Sequence, residues 1–356
     1  MLSRYARNML SLAAALALIG CATAAPAPAT PSPAPTVTLA PTVLPSPTLS
    51  PTPAGPTATP TLAPIDYGPM VDQVKNYLTY TSGRYGYDLA VGFEDISTGQ
   101  QVSINSEGRY HAMSSFKGPL AVMYLQLLEQ GKITEKIHDR QHIVQMLSVS
   151  SDTDTSCVFE AVGGIAAFND WLAAQGMSRQ NNFVLKWQDW NCNEPGEYYV
   201  PKIDLRYTKG DPSLGLPGSG ILLHCPIQQI ICDKAFAPVE LAHFYARLAR
   251  GEILNPQDTQ QMFDWLLRKQ NEAVFLNLMP PGADVKVYVK GGTQQATPEY
   301  RVNFFNESGV VETPYGRFAL AVFMQRNPVW PGTETMSRVA RIVYDYFTQA
   351  HGAPKS

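Results

Sequence analysis

The chain has 356 residues, of which 45% are hydrophobic and 16% are charged, and its formal net charge is −3. This length fits one large domain or two, and the hydrophobic share is enough to build a sizeable core. A nearly balanced charge with interspersed signs favours neither a nucleic acid nor an anionic membrane surface as the binding partner.

The N-terminus has the pattern of an export signal. Arg4 and Arg7 precede an apolar run from Met9 to Ile19, which is too short and wrongly flanked for an ordinary transmembrane helix. The run ends in Leu18-Ile19-Gly20-Cys21, which resembles a bacterial lipobox. We therefore expect residues 1–21 to be a lipoprotein signal peptide, with a lipid on Cys21 that anchors the exported protein on the outer side of a cell-envelope membrane. An ordinary signal peptide cleaved nearby is the alternative.

Residues 22–64 have the composition of a spacer. They carry 13 of the chain's 29 prolines and many Thr and Ala residues, but no charged or aromatic residue. Such a segment cannot bury enough apolar surface to fold, so we predict a disordered linker with polyproline character. Its role would be to hold a folded domain, residues 65–352, away from the membrane.

The remaining cysteines indicate disulfides rather than a metal site. An even number of cysteines in an exported chain predicts two disulfides, and no Cys-x-x-Cys pair suggests zinc. One set of pairings is Cys157–Cys192 with Cys225–Cys232, and the reverse pairings are possible. We expect no metal and no cofactor.

Hydrophobic periodicity predicts helices and strands throughout the folded region. The predicted helices are Met70–Leu78, Pro119–Leu128, Ile143–Leu147, Thr155–Val162, Ile165–Ala174, Val239–Leu248, Asp258–Leu267 and Met336–Phe347. The predicted strands are Leu89–Asp95, Gln101–Asn105, Lys286–Val289, Arg301–Asn306, Val310–Thr313 and Arg317–Gln325. Turns are predicted at Ser308-Gly309 and Pro314-Tyr315-Gly316, whereas residues 181–233 show no clear period. The order of these elements is a pair of strands, several helices, three strands and a final helix. This order indicates an α+β fold.

A Ser-x-x-Lys sequence stands at the start of the buried helix that follows residue 110. Ser114 lies in the first turn, and Lys117 lies one turn along the same face. A neighbouring amine can take the serine's proton, and helix N-terminal amides favour negative charge on a reacting oxygen. Because a four-residue match recurs by chance, a solvated helix cap is the alternative for this motif taken alone.

Two further motifs give this serine a family context. Ser-x-x-Lys at Ser114–Lys117, a Ser-x-Asn-like triplet at Ser150-Ser151-Asp152 and Lys-x-Gly at Lys290-Gly291-Gly292-Thr293 occur in that order. The order resembles class A serine β-lactamases and penicillin-binding proteins, and the resemblance covers about residues 70–350. The triplet could also be Ser151-Asp152-Thr153, but Ser150 leaves the following Gly163-Gly164 at the family's offset.

The resemblance implies a fold and a set of roles. The fold would be an antiparallel sheet flanked by helices, plus an all-helical subdomain, with the site in the cleft between them. Ser114 would be the nucleophile, Lys117 its neighbouring amine and Ser150 the proton relay. Lys290 would attract the substrate carboxylate, and the amides of Ser114 and Thr293 would form the oxyanion hole. The predicted substrate-binding residues are Asp152, Gly292 and Thr293.

The sequence departs from the family pattern at two motif positions. Asp152 stands where the family has Asn, and a carboxylate cannot donate a hydrogen bond unless it is protonated. Gly291 replaces the Thr or Ser that binds the substrate carboxylate. The deacylating glutamate lies in a Glu-Pro loop in the family, which makes Glu194 the candidate here, with Asp189 and Glu197 as fallbacks.

These patterns predict an exported, membrane-anchored serine hydrolase that forms an acyl-enzyme through Ser114. Its small-molecule substrate would be a β-lactam or a related amide or ester. A cell-wall D,D-peptidase or esterase is the enzymatic alternative. A noncatalytic module that binds peptidoglycan or another ligand in a degenerate site is the alternative from another class.

Overall fold

A computed structural model gives the fold of the chain. It describes residues 64–85, 88–106, 110–177, 188–189, 202–203, 235–267, 273–294, 303–327 and 332–352. All of these belong to the compact unit Pro60–Ser356. The predicted signal peptide with Cys21, and the predicted linker up to residue 63, lie outside the described residues, so the proposed domain boundaries stay predictions.

The described residues form helices and strands along most of their length. The helices are α1 (Gly68–Tyr85), α2 (Lys117–Glu129), α3 (Asp139–Ser148), α4 (Asp152–Ala161), α5 (Gly164–Ala174), α6 (Pro238–Ala249), α7 (Pro256–Leu267) and α8 (Gly332–Ala350). The strands are β1 (Asp88–Asp95), β2 (Gln101–Ile104), β3 (Tyr110–His111), β4 (Gln188–Asp189), β5 (Lys202–Ile203), β6 (Ala235–Phe236), β7 (Lys286–Gln294), β8 (Asn303–Thr313) and β9 (Gly316–Asn327). Short 3₁₀ helices span Met113–Phe116 and Val274–Leu276.

Five strands form one antiparallel sheet in the order β2-β1-β9-β8-β7. The N-terminal strand β1 pairs with β9 from the far end of the chain, where Leu89 lies opposite Met324. Strand β7, which carries the Lys-x-Gly motif, stands at the sheet edge, with Gly291 opposite Glu307 of β8. The pairs β3–β6 and β4–β5 form two small separate ladders.

Apolar side chains cover both faces of this sheet. Along β9, Leu320 and Val322 pack in a core with α1 and α8, while Ala321 and Phe323 pack in a second core with α2 and α6. Alternate residues of a strand point to opposite faces, so one strand serves both cores. The second core continues into α3, α4, α5 and α7, which form the helical part. The predicted α+β class, with a sheet flanked by helices and a helical subdomain, is confirmed.

Three strand predictions were wrong: Arg301–Asn306 and Val310–Thr313 were predicted as separate strands but lie in one strand, β8, and Lys286–Val289 was too short. The Ser308-Gly309 turn does not exist, because β8 runs unbroken from Asn303 to Thr313. Gly309 is required for close packing, since a Cβ there would lie 2.0 Å from the carbonyl oxygen of Tyr288. Strand β7 extends to Gln294 rather than ending at Val289, so the Lys-x-Gly motif lies inside the strand. The ladders β3–β6 and β4–β5 were not predicted.

The helix predictions placed each helix correctly but missed some ends. Helix α3 begins at Asp139, four residues before the predicted start. Helix α4 begins at Asp152 because the Ser151 side chain caps it, accepting a hydrogen bond from the Asp154 amide. Taken singly, none of the described helices is long and apolar enough to cross a membrane; α4 and α5 meet that test only as a pair, bent by 74°.

A buried carboxylate joins the two ends of the described domain. Asp95, at the end of β1, is fully buried and accepts hydrogen bonds from the Tyr67 hydroxyl (2.9 Å) and from His351 Nε2 (3.0 Å). The amide and hydroxyl of Ser97 bond its other oxygen. Burial acts to raise the pKa of Asp95, but the hydrogen bonds from Ser97, Tyr67 and His351 outweigh it and hold that pKa below its ordinary value. Asp95 therefore stabilises the fold as an anion.

Asp95→Asn is expected to lower the free energy of unfolding at neutral pH by about 1–3 kcal/mol, because its amide nitrogen cannot accept these bonds. The folded-state pKa is lowered, so this contribution is present above the unfolded-state pKa of about 3.9 and is lost as pH falls through the folded-state pKa. Urea unfolding at neutral and acid pH should show the difference from wild type shrinking in acid. Asp72→Asn, on the exposed face of α1, should have no effect. Equal stability of Asp95→Asn and wild type at neutral pH would contradict the assignment.

Candidate active site

Ser114 lies in the 3₁₀ helix Met113–Phe116, which leads directly into α2. Met113 has a φ of 47°, a backbone conformation that costs free energy for any residue other than glycine. The Ser115 hydroxyl donates to the Ala112 carbonyl oxygen and holds this turn from inside. Residues three apart are eclipsed in a 3₁₀ helix, which keeps Ser114 and Lys117 on one face.

Lys117 is completely buried, and its ammonium group donates to Ser150, just before α4, and to Asp152, the first residue of that helix. The Nζ atom donates to the Ser150 carbonyl oxygen (2.7 Å), to Ser150 Oγ (3.3 Å) and to Asp152 Oδ1 (2.6 Å). A buried charge is tolerated when it is paired and hydrogen-bonded. The structure thus brings the first two motifs into direct contact.

Ser150 connects the two lysines of the site. Its Oγ accepts hydrogen bonds from Lys290 Nζ (3.1 Å) and from Lys117 Nζ (3.3 Å). It has a φ of 59° in the short loop between α3 and α4, which turns it toward the lysines. Ser151 instead caps α4 and bonds Asp154. Of the two possible registers of the second motif, the structure places Ser150 at the site.

Strand β7 brings the third motif against the serine turn. Lys290 is buried and also donates to the Gly291 carbonyl oxygen at 2.7 Å. A Cβ at position 292 would lie 2.5 Å from the Ser114 backbone nitrogen. Only glycine therefore allows β7 to approach the serine this closely, which gives Gly292 a packing role. Thr293 follows at the exposed end of the motif.

The Asp152 side chain faces solvent on one side and contacts Lys117 on the other. Its side chain is 81% exposed, yet one carboxylate oxygen lies 2.6 Å from the buried Lys117 ammonium. The exposed edge of Asp152 presents acceptors where the family's Asn would present an amide donor.

A cavity of about 370 Å³ lies at the edge of the sheet, beside Ser114 and strand β7. Ser114, Ser150, Lys290 and Thr293 line it together with further residues of β7, β8 and the 3₁₀ helix: Ala273, Val274, Val289, Gly291, Gly292, Asn306 and Glu307. The cavity has room for a small amide or ester beside the serine, and the three ordered motifs meet at it.

Glu307 is a site residue that the sequence reasoning missed. It is buried on β8, and its two oxygens accept hydrogen bonds from the backbone amides of Val274 (3.1 Å) and Phe275 (2.7 Å). Burial raises the pKa of Glu307 to about 7, despite these bonds and the nearby Lys290 charge. The available signal was a glutamate inside an apolar strand, but the wrongly predicted Ser308-Gly309 turn placed it in a loop.

Some of the predicted residues lie outside the described part of the chain. Glu194 and Glu197 lie outside the described residues, as does the side chain of Asp189, so the deacylating base stays a prediction. Cys157 is buried on α4 and disulfide-bonded. Its partner stays a prediction, because Cys192, Cys225 and Cys232 are among the residues not described. Within the described part of the chain, no group of three or more His, Cys, Asp or Glu side chains could hold a metal ion.

A known protein family matches most of the chain. The model of the Beta-lactamase enzyme family matches residues 69–138 and 135–347. No curated protein matches the chain. The three solved structures described next are each 20% identical to it or less, so their likeness shows the fold alone.

Three of these structures illustrate the likeness. A PBP-A mutant in an acyl-enzyme complex with penicillin-G is 16% identical, with a TM-score of 0.56 over 79% of this chain and 97% of that one. An ancestral class A β-lactamase (GNCA) is 20% identical, with a TM-score of 0.56 over 77% and 99%. The TLA-3 extended-spectrum β-lactamase is 15% identical, with a TM-score of 0.59 over 78% and 99%. The chain therefore belongs to the β-lactamase enzyme family and has the fold of class A β-lactamases and PBP-A, as its three ordered motifs predicted.

Proposed function

We propose that the protein is a serine hydrolase that forms an acyl-enzyme through Ser114 and acts on β-lactams or related amides and esters. The observation that carries this proposal is the position of Ser150 Oγ, which bonds both Lys117 and Lys290 at the cavity that Ser114 lines. This arrangement provides a nucleophile, an amine and a proton path within one cluster. Acyl transfer requires all three.

In the proposed reaction, Ser114 Oγ attacks the carbonyl carbon of the substrate and forms the ester bond of the acyl-enzyme. Lys117 acts in this step as its neutral amine: it takes the serine's proton, and the Ser150 hydroxyl passes a proton on to the leaving nitrogen or oxygen as that atom's bond to the carbonyl carbon breaks. The backbone amides of Ser114 and Thr293, which both line the cavity, would stabilise the oxyanion. Water would then release the acyl group with help from a carboxylate, for which Glu194 is the candidate.

One of the proteins with the same fold, the PBP-A mutant, forms an acyl-enzyme with penicillin-G, which supports testing this chain with the same chemistry. Intact-mass measurement after incubation with a reactive β-lactam and with an activated ester is the direct experiment. A mass increase located on Ser114 is expected. Release of the product would identify a hydrolase, and a persistent adduct would indicate a penicillin-binding or D,D-peptidase-like role.

The noncatalytic alternative has a specific observation in its favour. Lys117 is engaged by Asp152 at 2.6 Å, and Gly291 lacks the hydroxyl that the family uses for the substrate carboxylate. A protein that binds cell-wall fragments with equal affinity in wild type and Ser114→Ala, and that no probe acylates, would be a binding module. The same mass measurement therefore separates the two classes.

The two altered motif positions give a prediction of their own. Asp152→Asn with Gly291→Thr is expected to raise β-lactam acylation by about tenfold, since it restores an amide donor and a hydroxyl worth about one hydrogen bond of transition-state binding. A Cβ at 291 would lie 3.3 Å from the Asn306 carbonyl oxygen and 3.7 Å from Glu307 Oε1, so the β8 backbone must move by a few tenths of an ångström to admit threonine. Acylation rates of the double variant and of each single variant measure the effect. A double variant slower than wild type would contradict it.

We also propose that the protein is anchored to a membrane through a lipid on Cys21. The support is the sequence Leu18-Ile19-Gly20-Cys21 followed by the proline-rich linker. Cys21→Ser is expected to move most of the protein from the membrane fraction to the soluble fraction, because a lipid chain contributes about 0.8 kcal/mol per buried CH₂. Fractionation followed by immunoblotting measures this. Unchanged membrane association would place the anchor elsewhere.

A further inference from the structure

The end of the cavity beside Lys290 contains a buried carboxylate that the proposed reaction does not use. Glu307 is only 4% exposed, lines the cavity and lies opposite Gly291 in the β7–β8 pairing. Side chains at paired positions of antiparallel strands share one face of the sheet. Glu307 therefore stands beside the motif position where the family carries a hydroxyl for the substrate carboxylate.

The backbone fixes the Glu307 carboxylate in this place. Each oxygen accepts one amide hydrogen bond, from Val274 at 3.1 Å and from Phe275 at 2.7 Å. A carboxylate offers about four lone-pair positions, so these two bonds leave acceptor capacity on both oxygens. The group is thus held rigidly and can still accept from a ligand.

Glycine at 291 leaves the β7 side of this carboxylate uncovered. A Cβ at this position would lie 3.7 Å from Glu307 Oε1, so any larger side chain would stand against that oxygen. In the family, the threonine or serine at this position would cover one side of the carboxylate. Here that side of Glu307 faces the cavity.

The charges near Glu307 oppose an anionic ligand. Among the described residues, Lys290 on β7 is the charged group that acts on Glu307, and the 3₁₀ helix Val274–Leu276 contributes backbone amides. A ligand carboxylate drawn to Lys290 would share that single cation with a buried carboxylate. The two carboxylates would line the same cavity, and like charges in a low-dielectric setting repel.

We propose that Glu307 determines substrate specificity by excluding carboxylate groups from the Lys290 end of the cavity and accepting a hydrogen-bond donor, an amide or an ammonium, in their place. This inference rests on the proposed function and names its substrate class: acyl donors that are uncharged or cationic at this position. The raised pKa of Glu307, about 7, means that the exclusion is strongest above neutral pH.

A matched pair of probes tests the proposal. A penicillin and its carboxamide differ only in the group expected at the Lys290 end of the cavity, which is a carboxylate in the first and CONH₂ in the second. At about pH 8, where Glu307 is ionised, wild type is expected to be acylated faster by the carboxamide. Glu307→Gln should shift the carboxylate-to-carboxamide rate ratio toward the carboxylate by about tenfold or more, since one buried like charge is removed. Glu312→Gln, on the same strand and paired with Lys286, is the control and should leave the ratio unchanged.

Wild type provides a second measurement that does not depend on the folding of a variant. The rate ratio should rise as pH falls through about 7, where Glu307 takes up a proton, while the probe's own carboxylate stays ionised. In Glu307→Gln the ratio should not change with pH over this range. An equal ratio in wild type and Glu307→Gln, or a wild-type ratio independent of pH, would overturn the proposal.

Binding separates this proposal from the proposed function. Ser114→Ala cannot be acylated at that residue, but its equilibrium affinities for the two probes still report the preference. If neither probe acylates wild type while Ser114→Ala binds the carboxamide more tightly at about pH 8, the hydrolase proposal fails and the role of Glu307 stands. If acylation occurs without this preference, the hydrolase stands and Glu307 is only structural.

Discussion

Ser114→Ala is expected to abolish the mass increase that wild type shows with a reactive β-lactam or an activated ester. The reason is chemical: among the described residues that line the cavity, no other combines a hydroxyl at a helix start with a neighbouring lysine in the same turn. The loss should be complete within the detection limit, because the covalent bond itself is removed. Intact-mass spectrometry at several times, followed by peptide mapping, measures it.

The neighbouring serine is the matched control for this variant. The Ser115 hydroxyl is buried and bonds the Ala112 carbonyl oxygen, so Ser115→Ala changes the same turn without touching the nucleophile. It should lose some stability and still be acylated. A Ser114→Ala protein that gains the same mass as wild type would show that another residue reacts, and it would contradict the proposed mechanism.

Lys117→Ala is expected to slow acylation by about 10²–10⁴-fold, the usual value of a positioned proton acceptor. The variant removes the amine from Ser150 and Asp152, which Lys117 contacts at 3.3 Å and 2.6 Å. Because removing a buried cation leaves its partners unpaired, stability should fall too. Single-turnover acylation rates must therefore be measured on folded protein, with unfolding followed in parallel.

Two further lysine variants test whether the slower acylation of Lys117→Ala comes from the lost amine or only from lower stability. Lys117→Met keeps the length of the side chain and removes the charge, so it should be as slow as Lys117→Ala. Lys136→Ala removes an exposed lysine whose Nζ lies 3.8 Å from Glu160, and it should acylate at the wild-type rate. Wild-type rates in Lys117→Met would rule out the amine as the proton acceptor.

Most of the site could be predicted from the sequence because its chemistry lies in short local motifs. Ser114 and Lys117 are three residues apart, and Ser150 of the second motif and Lys290 of the third follow in the family's order. The structure brought Ser150 to both lysines, as the family resemblance implied. What the motifs could not give was the pairing of Lys117 with Asp152, because neither residue type reveals which ammonium a carboxylate will contact.

Features that depend on contacts between distant strands escaped the sequence reasoning. Ser308-Gly309 has the composition of a turn, but Gly309 is there because the carbonyl oxygen of Tyr288 would lie 2.0 Å from a Cβ. The same error placed Glu307 in a loop and concealed its role at the cavity. Local composition shows which backbone conformations a residue can adopt. Which of them it does adopt depends on neighbours that are distant in the sequence.

The pairing of β1 with β9 has a consequence for the order in which the chain folds. Strand β1 is complete within the first part of the domain, yet its partner positions, such as Met324 opposite Leu89, are more than 200 residues later. Contacts of such long sequence separation form late, because the intervening chain must first be brought together. A nascent chain therefore exposes the apolar faces of β1 and α1 until β9 and α8 have emerged from the ribosome. The five-stranded sheet can therefore close only after β9 has been synthesised.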